Sequence, residues 1–283
     1  MRFKWKTRWN VSHNRIFNQH MSASSGDALH CACRRGQTET ALELIDLGAD
    51  IHAKDVYGRT PLHWACRKGH KDTAMALIAR GADISTRNYR GKTPLHWACQ
   101  NRQTETALAL IDLGADISAK DDIGGTPLHW ACHTGSTDTV LALIARGADI
   151  GAKDNRGKTP LHLAFQTEIV QILIARGADV YSRDNRGQTP LHLACLNGRT
   201  DIALALIDLG ADIDAKGEDE QTPLHVACNR DHDETTLALI DLGADIFSKN
   251  RLGRTFAHES PEVLPRVYER LHVSTVRSYL EHQ

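Results

Sequence analysis

Sixteen histidines and seven cysteines among 283 residues are enough to build a metal centre or a reactive thiol pair. Their spacing argues against both. His30, His63, His96, His129, His162, His192, His225 and His258 recur at intervals of 33 residues, with one interval of 30. One such imidazole per unit cannot share a zinc ion with its neighbours, because packed helices lie about 8–10 Å apart and Zn–N bonds are about 2.0–2.1 Å. The role left to that slot is a hydrogen bond to backbone in the adjoining turn. Cys33, Cys66, Cys99, Cys132, Cys195 and Cys228 also share a slot, which Phe165 takes once. Neighbours one unit apart exceed the roughly 7 Å Cα separation that a disulfide tolerates, and Cys31 and Cys33 leave a helix in different directions. Reduced core thiols are expected. Trp64, Trp97 and Trp130 share a third slot, filled later by Leu163, Leu193 and Val226, which reads as core rather than as an aromatic binding ladder. No nucleophile–base constellation, phosphate loop or carboxylate pair stands apart from the repeat. The sequence therefore predicts no catalytic residue, no metal, no cofactor and no enzymatic activity.

The elements that carry these residues repeat as well. Gly-Ala-Asp begins at Gly48, Gly81, Gly114, Gly147, Gly177, Gly210 and Gly243, and Thr-Pro-Leu-His at Thr60, Thr93, Thr126, Thr159, Thr189 and Thr222. A fixed period in this range means stacked supersecondary units rather than separate globular cores. In residues 55–87, Asp55-Val56-Tyr57-Gly58 is turn chemistry. Thr60 is placed to cap a helix whose first position is Pro61, where the missing N–H costs nothing. That short helix is expected to end near Gly69. A second covers roughly 71–80, with Ala74, Leu77 and Ile78 inward, and Gly81 closes it. Neither helix is long enough to be stable alone.

Thr-Pro-Leu-His-x-Ala, the 33-residue period and the Gly-Ala-Asp-Ile close resemble the ankyrin-repeat family over about residues 26–260. The resemblance implies an all-α solenoid of helix–turn–helix units with β-hairpin tips, in an elongated curved stack with a concave groove beside the short helices. Eight units are expected: a degenerate first at 26–54, regular units at 55–87, 88–120, 121–153, 154–183, 184–216 and 217–249, and a degenerate last from 250. Residues 1–25 read as a basic, disordered tail and 261–283 as a C-terminal capping helix, since Ser260-Pro261-Glu262 is a start signal and apolar residues follow at helical spacing. Three residues are missing between Phe165 and Glu168, which reads as loop-length variation or, alternatively, as a bend or notch.

The formal net charge is -1, so the whole molecule has no electrostatic bias toward nucleic acid or membrane. No apolar run approaches the roughly 18 residues of a membrane-spanning helix. The expectation is a cytoplasmic or nuclear monomer that binds a protein. Arg2, Lys4, Lys6, Arg8 and Arg15, without an acid in 1–25, leave mitochondrial targeting or membrane-surface association as minor alternatives.

Positions that vary between units are those the fold does not need, and ankyrin proteins, by resemblance, contact partners through them. At the tips these include Tyr57 and Arg59, Tyr89, Arg90 and Lys92, Ile123, Arg156 and Lys158, and Arg186. On the short helices they include Arg67, Lys68 and Leu196. The tips are more basic than the molecule, which suggests an acidic or phosphorylated partner segment with Tyr57 and Tyr89 as anchors. The plainer reading is a solvated edge partly neutralised by Asp55, Asp121, Asp154 and Asp184. The function expected is a scaffold or adaptor. Alternatives are a substrate receptor of a larger assembly such as a ubiquitin ligase, and a membrane-associated regulator acting through the N-terminus.

Overall fold

A computed structural model of the chain describes residues 25–259, 261 and 264–271. The expected calls on residues 1–24 and 272–283 lie outside the described residues. Fifteen α-helices and two 3-10 turns are present among the described residues, and no strand. No helix there is long and apolar enough to cross a membrane. The chain divides into two compact units, with the boundary between Asp122 and Ile123.

Within each repeat the local chemistry starts and stops the helices as their residues dictate. Thr60 is extended (ψ 168°), Pro61 opens the short helix Pro61–Lys68, and Gly69 ends it in the left-handed region at φ 76°. The outer helix Lys71–Ala79 follows at once, and Gly81 at φ 93° turns the chain away. The same pair recurs as Pro94–Gln100 with Thr104–Asp112, Pro127–Thr134 with Thr137–Ala145, Pro190–Leu196 with Thr200–Asp208, and Pro223–Cys228 with Asp233–Asp241. Leu62, Ala65 and Cys66 from the short helix meet Ala74 and Leu77 from the outer one, all essentially inaccessible to solvent. Small Ala and Cys side chains let the helices approach closely, and each buried Leu contributes about 1.5–3 kcal/mol.

The conserved-slot histidine ties one repeat to the next. The N–H of Thr60 donates to Nδ1 of His63 at 3.0 Å, and Nε2 of His63 donates to the Lys92 carbonyl 3.0 Å away in the following tip. His30 reaches the Arg59 carbonyl in the same way. In the second unit His129, His162, His192 and His225 reach Lys158, Gln188, Gln221 and Arg254. For His63, Nδ1 accepts the Thr60 N–H while Nε2 donates to a carbonyl, so the proton sits on Nε2 and that ring is neutral. No group of His, Cys, Asp and Glu able to hold a metal occurs among the described residues.

Two local features differ from the sequence reading. The tips are turns, not β-hairpins. Asp55 closes its tip by accepting from the N–H groups of Tyr57 and Arg59 on Oδ1, which uses donors that a ladder would need. Adjacent tips then share single backbone bonds, such as Tyr89 N–H to the Tyr57 carbonyl and Asn185 N–H to the Arg156 carbonyl. Second, the three missing residues shorten the inner helix itself rather than only a loop. Its place is taken by the 3-10 turn Pro160–Leu163, after which Ala164 and Gln166 are extended. The cysteine-slot residue, Phe165, is consequently half-buried, whereas Cys195 in the next repeat is wholly buried.

Candidate interaction site

The tip of residues 55–59 is organised by one carboxylate. Oδ1 of Asp55 takes the two backbone N–H groups, and Oδ2 accepts from Arg59 Nε at 2.8 Å and from the Trp64 indole at 3.1 Å. Burial raises the Asp55 pKa, but the hydrogen bonds from Arg59, Tyr57 and Trp64 outweigh it and hold the carboxyl below its usual value. The Arg59 guanidinium lies 4.4 Å from the Tyr57 ring centroid and 4.2 Å from that of Trp64. Arg59 is therefore part of the tip's own construction rather than a cation held out to solvent.

Lys92 is likewise built in. Only 5% of it is exposed, its ammonium donates to Gln100 Oε1 at 2.7 Å, and it lies 5.6 Å from the Trp97 ring. Burial pulls its pKa down to about 8, against the opposing pull of Asp121. The basic slot before each tip also serves the fold. Arg87 donates to the Lys120 carbonyl and Lys153 to that of Arg183.

The other predicted contact residues divide by exposure. Tyr57, Tyr89 and Ile123 are 62%, 67% and 55% exposed. Arg90, Arg156, Arg186 and Lys68 are exposed, while Lys158, Arg67 and Leu196 are half-buried. Tyr89 packs over the backbone of the preceding tip: a Cβ at Gly58 would sit 2.6 Å from its ring, so that position requires glycine for space as well as for its φ of 74°. In the second unit Arg186 is 3.5 Å from Glu218 and Arg251 is 3.7 Å from Asp219. The acidic turn Glu218–Glu220 thus pairs with basic tips on either side of it.

The tryptophan slot is not simply core. Trp64, Trp97 and Trp130 are half-buried, whereas Leu193 and Val226 in the same slot are buried. A large indole fills the slot and still reaches the surface, where guanidiniums cover it. Arg34 and Arg67 lie 5.7 and 5.1 Å from the Trp64 ring centroid, and Arg67 lies 5.2 Å from that of Trp97. The second unit has a different cluster. The His133 ring meets Phe165 edge-on at 4.9 Å, and Arg199 covers Phe165 at 4.0 Å. Sequence reasoning missed Arg34 and Arg199. The signal for Arg34 was present, since it occupies the slot of Arg67 one repeat earlier.

Four of the buried cysteines are held as thiols. All seven are free and six are buried. Burial pushes the Cys33 thiol up to about 12 and the Cys66, Cys99 and Cys195 thiols higher still, so none of these ionises near neutrality.

The profile of the family described as ankyrin repeats (3 copies) matches residues 11–88, 29–121, 119–184 and 165–250. The chain belongs to the ankyrin-repeat family. Members of that family are generally protein–protein interaction modules and typically non-enzymatic. No curated protein matches the chain as a relative.

Proposed function

We propose that this chain is a non-enzymatic scaffold that holds a protein partner through its tips and the outward face of its short helices. The observation that carries the reading is a division of labour between slots. Residues that recur from repeat to repeat, such as Leu62, His63, Ala65 and Leu77, are buried, while Tyr57, Tyr89 and Ile123 vary between repeats and stay largely exposed. Large side chains with an exposed apolar face are the usual anchors of an interface. Exposed Arg90 in the first unit and exposed Arg156 in the second favour an acidic or phosphorylated segment.

The scaffold acts as a monomer in a reducing, cytoplasmic or nuclear compartment, a setting consistent with its seven free thiols. Its repeat domain covers 26–260, and the helix Leu264–Leu271 caps the last repeat. Burial of Val267 and an ion pair between Arg266 and Asp233 support that cap.

The test is a quantitative pull-down from native lysate with the intact chain and with a variant carrying Tyr57→Ala, Tyr89→Ala, Arg90→Glu and Arg156→Glu. Arg59 and Lys92 stay untouched because they hold the fold. Proteins lost selectively from the variant support the reading. Identical partner lists from two equally stable proteins refute it for the tips.

A further inference from the structure

We infer that Arg34 and Arg67, braced on Trp64 and Trp97, form an oxyanion-recognition strip for an extended acidic segment of a protein partner. The inference rests on the scaffold reading above and assigns the anion-binding part of that surface to one stretch of the first unit.

Three guanidiniums surround the Trp64 ring: Arg59 at 4.2 Å, Arg67 at 5.1 Å and Arg34 at 5.7 Å. Asp55 neutralises Arg59. No carboxylate lies within ion-pair distance of Arg34 or Arg67 among the described residues. Exposed Arg35 and Lys68 add two further cations next to them in sequence. Stacking on an aromatic face fixes a guanidinium in orientation while leaving N–H groups to fork onto a carboxylate or phosphate; in Arg34, Nη2 also donates to Cys31 Sγ at 3.9 Å, a long, weak bond. That side chain has already lost much of its rotamer freedom, so less is lost when an anion binds.

The charge belongs to this stretch and not to the slot in general. The positions equivalent to Arg34 and Arg67 are Gln100, His133, Leu196 and Asn229 in later repeats, and the shortened repeat lacks the position, its Gln166 standing directly before the outer helix. Arg186 and Arg251, the basic tip residues near the far end, already have Glu218 and Asp219 beside them. The tip cations Arg59 and Lys92 are consumed by the fold. Arg34 and Arg67 are a pair in one slot of consecutive repeats that no carboxylate compensates among the described residues.

The spacing fits an extended chain. The two arginines occupy one slot in consecutive repeats, whose helices lie about 8–10 Å apart. Acidic residues two or three positions apart on an extended segment recur about 7–10 Å apart. A nucleic acid fits less well. Single strands bind by stacking bases on open aromatic faces, and Arg34, Arg59 and Arg67 already cover the Trp64 ring.

The test uses the full chain and fluorescence anisotropy with three labelled probes. One is a dodecapeptide alternating Glu and Gly, the second carries phosphoserine in place of Glu, and the third is a thymidine dodecanucleotide. Wild type is expected to bind at least one peptide, and Arg34→Gln/Arg67→Gln to weaken that binding tenfold or more. The control Arg146→Gln/Arg176→Gln removes two exposed cations at the ends of outer helices and is expected to stay within twofold of wild type. Preference for the glutamate peptide assigns the oxyanion to carboxylates, and preference for the phosphopeptide assigns it to phosphate. A second variant, Arg67→Lys, keeps the charge and loses the planar fork, so it should recover only part of the affinity. Thermal melts confirm that each variant is folded. The proposal is overturned if neither peptide binds, if the two double variants lose affinity equally, or if the oligonucleotide binds more tightly than either peptide. Any of these leaves the pull-down result standing, so failure here is distinguishable from failure of the scaffold reading.

Discussion

The indole N–H of Trp64 donates to Oδ2 of Asp55, and its counterpart one repeat later, Trp97, has no partner for the same atom. The reason is a single substitution. The slot of Asp55 holds Asn88 in the next tip, and Oδ1 of Asn88 accepts from the N–H groups of Arg90 and Lys92 as Oδ1 of Asp55 does from Tyr57 and Arg59. The remaining side-chain atom is then an amide nitrogen, a donor, where Trp64 finds a carboxylate oxygen.

Asn88→Asp should therefore stabilise the protein. It supplies the missing acceptor to a buried indole N–H and places a negative charge near the Lys92 ammonium. A hydrogen bond to a charged group contributes about 1.5–3 kcal/mol, less the cost of burying the new carboxylate, so a gain of about 1 kcal/mol is expected. The urea midpoint of the variant checks this. A lower midpoint would mean that the carboxylate cannot reach the indole.

The converse change, Asp55→Asn, should cost about 2–4 kcal/mol. It removes the acceptor of Trp64 and leaves the enclosed Arg59 guanidinium without its counter-ion. Asp46→Asn is the comparison, because Asp46 pairs with Arg80 on an exposed surface, where such pairs contribute about 0–1 kcal/mol. Equal losses from the two variants would contradict the hub role of Asp55.

These tips mark the limit of what the sequence made legible. The period, the helix pairs and the backbone-bonding histidines follow from residues that recur, because the same packing problem is solved in every repeat. Arg59 and Lys92 were read as partner contacts because they vary, yet variation also arises when a side chain answers a neighbour that varies. The spacing of Asp55 and Arg59, four apart across a turn, was the available sign. Phe165 shows the same limit. Its slot predicted burial with the cysteines, but the loss of three residues ended the inner helix before that slot was reached.

Lys92 gives a test in alkali. An unfolded lysine titrates near 10.4, and burial lowers Lys92 to about 8 in the fold. Between those values the unfolded chain binds more protons, so stability should rise as the pH is raised from about 8 to 10.4. Lys92→Met removes the buried ammonium and should abolish that rise, whatever stability it loses at pH 7 with the bond to Gln100. Urea midpoints of both proteins between pH 7 and pH 10 measure the difference. A rise of equal size in Lys92→Met would assign the alkaline effect to another group.

The bridging histidines give the opposite edge of the pH profile. Burial lowers His63 and His162 to about 4 and shifts His192 in the same direction. The bonding pattern points the same way: protonating Nδ1 of His63 would set a donor against the Thr60 N–H that it now accepts. An unfolded histidine titrates near 6.5. Above that value both states are neutral and the full stability is present. As the pH falls from 6.5 to 4 the unfolded chain takes up protons that the folded chain refuses, and stability is lost. Below about 4 the folded rings protonate too, and the loss from this source ends. A shift from 6.5 to about 4 corresponds to about 3 kcal/mol per ring, so His63 and His162 together should make the fold strongly acid-labile. The urea midpoint should decline steeply between pH 6.5 and pH 4, and the imidazole resonances of both residues should move only near pH 4. A midpoint that stays flat from pH 7 to pH 5 would show that these rings are not held neutral between Thr60 and Lys92, or between Thr159 and Gln188, as their hydrogen bonds require.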